Sequence, residues 1–358
     1  MEPIKIAMLG MTHGHTRKYY QVLRDNPQLD WVGAATTDPA AKANFLKNVP
    51  DIPLYDSSEE LFEAHPELQA VVIASENCNH MQDLEACVNR GLDILMMKIP
   101  TFDMDEYDRM VKMVKEKGIV CQVELELHFN PVVNRIKAIA ESGELGTLQA
   151  IQATNVTLCP AAAFPWQGSP EKSFGKRIPI GEQNPRFRGG ALCDHPHIFD
   201  LVRILTGSEF DTIYAQCAPN IRTKLEVEDM LSVTARMKNG VIVSLDPSWS
   251  KRETDIPYPG VGWEIDPKRM EVNVTLCGDK GSIFADCFGP SVYHDGGPND
   301  RYTVQYTYFD EWVGLMDEFV DAIRTRRTPF THLEWHRKTI EAMLACYESI
   351  QTGKPVKL

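Results

Sequence analysis

The chain has 358 residues and 43% hydrophobic side chains, enough for about two domains with a large buried core. Its net charge of -13 argues against a nucleic-acid partner, because a phosphate backbone needs a basic surface. There is no apolar run of the roughly 20 residues that a membrane span needs, and no apolar leader segment. Nine scattered cysteines without a C-x-x-C pair are typical of reduced thiols, so we expect a cytoplasmic protein without a membrane partner.

The first third of the chain alternates between apolar runs and helical periodicity. Strands are predicted at residues 4–9, 31–36, 70–74, 92–97 and 119–123. Between them, Ser57 begins a capping-box sequence, and Gly91 and Gly118 stand where helices should stop. This alternation predicts a doubly wound parallel sheet with helices on both faces, that is, a Rossmann domain over residues 1–123.

The end of the first predicted strand poses the main functional question. A dinucleotide-binding turn has the form G-x-G-x-x-G, and Gly10 supplies its first glycine. Thr12 and His15 occupy the second and third glycine positions, while Gly14 is out of phase. Either this modified turn still binds a nicotinamide cofactor, or the protein keeps the fold and uses the residues of the turn for a different reaction.

The pattern changes after residue 123. A helix at 134–143 is followed by a run of longer strands and then by helices at 311–326 and 334–352. The strands are predicted at 148–157, 212–218, 230–237, 241–246, 272–276 and 303–308. Strands without intervening helices indicate a C-terminal α+β domain, residues 124–358, with a large open, mainly antiparallel sheet. The Pro- and Gly-rich segment 160–188 is predicted to be a long loop, either disordered or functional.

The outer face of this second sheet must be covered, since an uncovered flat sheet aggregates. Apolar residues are expected on both faces of 230–237 and 241–246. The sequence therefore predicts that a second subunit covers the sheet, giving a homodimer or a homotetramer.

Several motifs in order carry a resemblance to a known family. They are the strand, turn and helix-start histidine at 70–80, the lysine segment at 95–99, the Gly-Glu-Leu-Gly stretch at 143–146, and the Gly-Gly helix start at 188–201. On these motifs the chain resembles the Gfo/Idh/MocA family of oxidoreductases over nearly its whole length.

The resemblance implies hydride transfer between NAD or NADP and a hydroxyl-bearing carbon of a sugar, cyclitol or related compound. It implies that Lys98 and His197 transfer the proton of the reacting hydroxyl, and that Asp194 orients an imidazole or holds a substrate hydroxyl. The residues expected to bind the cofactor are Gly10, Thr12, His13, Gly14, His15, Thr36, Ser75, Asn77, His80 and Lys98. Those expected to bind the carbohydrate-like substrate are His128, Trp166, Arg188 and His195.

Several positions depart from the family's pattern. Met97 and Ile99 replace the glutamate and proline that flank the lysine, and His128 replaces an arginine. Asp194 and His197 are three residues apart rather than four, a spacing that keeps both on one face of a predicted helix. Thr36 replaces the acidic residue that would bind a ribose hydroxyl, which leaves NAD and NADP both open.

The surplus of histidines and carboxylates motivates an alternative function. The chain could be a non-redox enzyme, such as a metal-assisted lyase, hydratase or epimerase acting on a keto-sugar. No motif supports a metal, and none is expected. The residues that could supply its ligands are His195, His197, Asp194, Glu126 and His128, with His13, His15 and Glu124 as further candidates. A catalytically silent binding protein is a third reading, which Lys98 and His197 disfavour.

Overall fold

The structure is a computed structural model that describes residues 2–251, 270–289, 291–295, 301–305 and 310–358. The chain forms two compact units. The first comprises Met1–Glu126, Glu171–Gly175 and Trp312–Arg337, and the second comprises Leu127–Pro170, Lys176–Glu311 and Lys338–Leu358. The domain bounds 1–123 and 124–358 stay a prediction.

The first unit is built on a six-stranded parallel sheet. Its strands are β1 (Ile4–Leu9), β2 (Leu29–Ala35), β3 (Leu54–Tyr55), β4 (Ala70–Ile73), β5 (Asp93–Met96) and β6 (Cys121–Val123). The strand order is β3-β2-β1-β4-β5-β6, which is the order of a dinucleotide-binding fold, and the chain reverses direction across the sheet between β1 and β4. The predicted Rossmann fold is confirmed.

Helices connect these strands, and their ends follow local sequence signals. They are α1 (Thr16–Asp25), α2 (Pro39–Asn48), α3 (Ser58–Ala64), α4 (His80–Arg90) and α5 (Met104–Lys117). Ser57 caps α3 by accepting a hydrogen bond from the Glu60 amide, and Asp103 caps α5 in the same way. Gly91 and Gly118 end their helices in the left-handed conformation, as predicted.

The second unit contains a nine-stranded mixed sheet. Its strands are β7 (Leu148–Thr157), β10 (Phe210–Cys217), β11 (Leu231–Met237), β12 (Ile242–Asp246), β13 (Met270–Gly278), β14 (Ser282–Asp286), β15 (Ser291–Asp295), β16 (Arg301–Gln305) and β17 (Val356–Lys357). The order is β16-β15-β14-β13-β7-β12-β11-β10-β17; β12 and β7 pair in parallel and the other neighbours are antiparallel. The predicted fold class is confirmed. Of the strand predicted at 303–308, residues 306–308 lie outside the described residues.

The helices of the second half are α6 (Pro131–Ser142), α7 (Pro170–Ser173), α8 (Ala191–Asp194), α9 (Pro196–Thr206), α10 (Glu311–Thr325) and α11 (Leu333–Thr352). The segment predicted as one long loop, 160–188, instead holds short helical turns, α7 and a hairpin of β8 (Pro179–Gly181) and β9 (Asn184–Phe187). None of the described helices is both long and apolar enough to cross a membrane.

One face of the large sheet packs against helices: α9 contacts β7, and α6 contacts β14 and β15. Buried and exposed residues alternate along β11. The expectation of apolar residues on both faces was wrong for this strand. Its exposed positions are Ser232, Thr234 and Arg236, because only the buried face of the strand needs apolar side chains.

Candidate active site

The turn after β1 lies directly against the turn after β4. Gly10 has a φ of 83°, and a Cβ atom there would lie 2.4 Å from Cα of Ser75. Glycine is therefore required both by conformation and by the close approach. These two strands flank the point where an open α/β sheet binds its ligand, so the residues present fit a dinucleotide at this edge.

The rest of this turn differs from a G-x-G-x-x-G loop. The amides of Thr12 and His13 both donate to the Ala74 carbonyl, at 3.0 and 3.4 Å. Helix α1 begins only at Thr16, beyond Gly14 and His15. Two amides that would otherwise face a pyrophosphate are thus used within the protein. Side chains of the turn must supply part of any phosphate or ribose contact.

The end of β2 carries a hydroxyl where a ribose-binding carboxylate was expected. Thr36 is buried, and its hydroxyl accepts a hydrogen bond from the Asp38 amide at 3.2 Å. Asp38 caps α2 by accepting from the Ala41 amide at 2.7 Å. Its carboxylate is therefore engaged in its own helix.

His80 is the first residue of α4 and joins two loops at the carboxyl edge of the sheet. Its Nδ1 lies 2.9 Å from the Ile99 carbonyl oxygen, and its Nε2 lies 3.2 Å from that of Ser75. Burial lowers the pKa of this imidazole, which favours the neutral ring. His80 thus positions the segment that follows Lys98.

The two predicted cofactor residues before His80 are also hydrogen-bonded within the first unit. The Ser75 hydroxyl donates to Asp83 at 2.6 Å, and the Asn77 amide donates to the Ser173 carbonyl at 3.0 Å. Burial raises the pKa of the Asp83 carboxyl. These bonds fix the loop after β4.

Lys98 lies two residues past the end of β5 and is only 3% exposed. The peptide bond between Lys98 and Ile99 is cis. A buried ammonium group must interact with polar partners, and the carboxyl edge of a parallel sheet is where ligands meet such groups.

Asp194 and His197 do not lie on one helix, and the prediction that they share a helical face was wrong. Helix α8 ends at Asp194 and α9 begins at Pro196, with His195 between them at φ -117° and ψ 52°. Proline cannot continue a helix, and it disfavours helical geometry in the residue before it. His197, which is buried, lies in the first turn of α9.

Asp194 and His195 are held by the second unit's own residues. Asp194 accepts from the Trp249 indole at 2.9 Å and from the Gln167 amide at 3.2 Å. The Nδ1 of His195 donates to the Pro247 carbonyl at 2.8 Å, and its Nε2 lies 3.2 Å from the Thr157 hydroxyl. Both ring nitrogens of His195 are therefore bonded within the protein.

His128 pairs through Nε2 with Asp200, which is 2% exposed. Asp200 also lies near the guanidinium of Arg203, which binds Glu209 at 2.7 and 2.8 Å. The imidazole at the position of the family's arginine thus belongs to a network of charged residues. A substrate contact by His128 would be made with its ring orientation fixed by Asp200.

The buried carboxyl of Glu228 anchors the segment that contains Arg188 and the two glycines after it. The guanidinium of Arg188 stacks over the Tyr347 ring at 5.4 Å and donates to Gln351 at 2.5 Å. Tyr347 donates to Glu228 at 2.8 Å, and Glu228 accepts from the amides of Gly190 and Leu192. Burial raises the pKa of Glu228 to about 7.

The predicted substrate residue Trp166 is 5% exposed.

Within the described residues, no group of three or more His, Cys, Asp or Glu side chains is arranged to hold a metal ion. In the second unit, Asp194 Oδ2 and His195 Nε2 lie 3.7 Å apart, while His128 binds Asp200 instead.

Comparison with known proteins identifies the family. Residues 4–125 match an oxidoreductase family with an NAD-binding Rossmann fold, and residues 133–284 match the GFO/IDH/MocA C-terminal domain. The chain belongs to the Gfo/Idh/MocA family of oxidoreductases. Its N-terminal domain is the family's NAD-binding Rossmann domain, and its cofactor is NAD or NADP.

Individual relatives of this oxidoreductase are distant. The uncharacterized oxidoreductase YrbE of Bacillus subtilis is 27% identical over 82% of this chain and 79% of its own length. The scyllo-inositol 2-dehydrogenase (NAD(+)) of Bacillus subtilis is 22% identical over 84% and 81%. A crystal structure of an oxidoreductase from Agrobacterium radiobacter with NAD+, L-tartaric acid and magnesium has a TM-score of 0.81 at 18% identity, over 99% of this chain and 98% of that one.

Sequence reasoning missed three residues of these networks. The sequence marks Glu124 only as a possible metal ligand, although it binds His15 and Tyr19. Glu228 carries no local signal, because its partners lie up to 119 residues away. Trp249 was not among the expected site residues, although its indole donates to Asp194.

Proposed function

We propose that this oxidoreductase transfers hydride between NAD or NADP and a hydroxyl-bearing carbon of a sugar, cyclitol or related compound. The observation that carries the proposal is Lys98, buried just past β5 in a sheet with dinucleotide-binding strand order. The scyllo-inositol dehydrogenase among its relatives supports a polyol substrate.

Lys98 would donate a hydrogen bond to the reacting hydroxyl and stabilise the negative charge that develops on its oxygen. In the second unit, His197 would exchange the proton and Asp194 would orient the substrate, itself fixed by Trp249 and Gln167. When bound, the nicotinamide supplies or accepts the hydride.

The cofactor would be held along the edge formed by the turn at Gly10–His15, by Thr36, and by the loop of Ser75, Asn77 and His80. The proposed substrate contacts are His128, Trp166, Arg188 and His195. We assign His195 and His128 orienting roles, because their hydrogen bonds within the protein fix the orientation of their rings.

The first test is cofactor binding. Purified protein titrated with NADH and NADPH should enhance or shift nicotinamide fluorescence, and cyclitols or aldoses should then drive reduction of the oxidised cofactor. Absence of binding of either form at millimolar concentration would refute the proposal.

The remodelled turn favours one second candidate, a non-redox enzyme on the same scaffold. The Thr12 and His13 amides that bond Ala74 are the specific observation. A metal-assisted lyase, hydratase or epimerase acting on a keto-sugar would contain stoichiometric Zn, Mn or Co and would cause no net oxidation or reduction of the nicotinamide. Elemental analysis of the purified protein separates the two functions.

A further inference from the structure

A histidine–carboxylate pair lies beside the glycine turn of the first unit. Nδ1 of His15 is 2.7 Å from Oε1 of Glu124, whose side chain is fully buried. The Tyr19 hydroxyl donates to the other carboxylate oxygen at 2.9 Å. A carboxylate that holds one nitrogen of an imidazole is the arrangement that orients a histidine for work at its other nitrogen.

The pair determines which nitrogen of His15 faces outward with a lone pair. An ionised carboxylate only accepts hydrogen bonds, so Nδ1 must carry the proton. In the neutral ring Nε2 is then an acceptor. The His15 side chain is 31% exposed, and Nε2 has no hydrogen-bond partner among the residues the structure describes.

Packing holds the ring in this orientation. His15 meets the His13 ring edge-on at 4.6 Å and the Trp312 ring at 5.0 Å. The His15 amide donates to Nδ1 of His13 at 3.1 Å. Burial raises the pKa of Tyr19 well above its ordinary value, and the nearby Glu124 adds to this, so the phenol remains a donor to the carboxylate.

The pair also lies at the edge of the sheet where ligands bind. His15 immediately precedes α1, after the carboxyl end of β1. The Glu124 amide donates to the Met96 carbonyl at 2.8 Å, which places Glu124 beside the strand that leads to Lys98. The exposed imidazole nitrogen therefore belongs to the same edge as the lysine.

We propose that Nε2 of His15 accepts a hydrogen bond from a ligand hydroxyl at this edge, with Glu124 and Tyr19 as positioning residues. The proposal rests on the function proposed above. The hydroxyl comes either from a ribose of the dinucleotide or from the polyol substrate. In the second case His15, in place of His197, is the base: the substrate O–H bond breaks, an N–H bond forms at Nε2, and the hydride on the same carbon passes to the nicotinamide that this reaction requires.

Two substitutions and one control test the proposal. His15→Asn keeps a donor near the position of Nδ1 and removes Nε2, while Glu124→Gln removes the charge that selects the tautomer. His65→Asn is the matched control, because His65 also contacts a carboxylate, Glu67 at 3.4 Å, on the surface of the same unit. NADH affinity and the kinetics with myo-inositol and D-xylose are measured for each.

The two sources of the hydroxyl give different results. A ribose contact predicts that NADH binds about tenfold more weakly to both variants and normally to His65→Asn. A substrate contact predicts unchanged NADH affinity, a fall in kcat/KM of ~10²–10⁴-fold for His15→Asn, and an altered pH profile for both variants. If both variants match the wild type in affinity and turnover, the proposal is wrong.

Nitrogen NMR of the imidazoles gives a readout that needs no cofactor. The wild type should show His15 protonated at Nδ1, and Glu124→Gln should change that tautomer; a proton on Nε2 in the wild type would overturn the proposal. If the wild type binds neither NADH nor NADPH, the proposed function fails separately. The Nε2 resonance with saturating myo-inositol or D-xylose then decides: a shift supports the hydroxyl contact, and an unchanged resonance refutes it.

Discussion

Lys98 is a charged side chain in a buried position, which is expensive unless the charge has a task or a partner. We predict that Lys98→Ala folds normally and loses most hydride-transfer activity, because its charge acts on the reacting oxygen. Lys112→Ala, an exposed lysine of α5, is the control. Activity and thermal unfolding should be measured together. Lower stability with full activity would mean that Lys98 only stabilises the end of β5 and takes no part in the reaction.

The two histidines around Pro196 should separate into an active one and a supporting one. His197→Asn removes the proposed proton-transfer group and should lower turnover by ~10²–10⁴-fold. His195→Asn should instead lower stability, because its ring joins Pro247 to Thr157. If His195→Asn abolishes turnover and His197→Asn is mild, the roles are reversed.

At the scale of elements, the Rossmann half was predictable because its signals are local. Ser57 and Asp103 cap helices within three residues, and Gly91 and Gly118 end them in a conformation that glycine favours. The break before Pro196 also has a local signal, because proline disfavours helical geometry in the residue before it. The pairing of His15 with Glu124, 109 residues apart, depends on strand order and has no local signal.

The start of α8 depends on a carboxyl that should make stability vary with pH. Burial raises the pKa of Glu228 from 4.5 to about 7 in the folded state. Because the folded pKa is the higher one, this group's contribution is fully present below pH 4.5 and is lost as pH rises through about 7. The loss amounts to about 3 kcal/mol at most.

Glu228→Gln imitates the protonated carboxyl and should therefore remove this loss. We expect the variant to unfold at higher denaturant than the wild type near pH 8, with the difference shrinking toward pH 5. Glu226→Gln, which alters an exposed carboxylate paired with Arg177, is the control. Parallel pH profiles for Glu228→Gln and the wild type would contradict the assignment.

At the scale of the molecule, the face of the large sheet opposite the helices raises the question of what covers it. A row of neighbouring residues crosses this face from β12 to β15: Ser244, Gln152, Thr275, Phe284 and Tyr293. Phe284 is 45% exposed, Tyr293 41% and, in the next row, Ile242 64%. Small polar residues with a few large apolar ones form a flat surface that a second sheet could pack against.

We propose that a second copy of the chain covers this face, giving a homodimer or a dimer of dimers. Light scattering should then give at least twice the 40.4 kDa chain mass. Ile242→Arg combined with Phe284→Arg should reduce it to one chain mass, because the charges would be buried without partners in a symmetric interface. Leu46→Arg, on the exposed side of α2, should leave the mass unchanged. A wild type that scatters as a monomer would show that no second subunit is needed to keep this sheet face in solution.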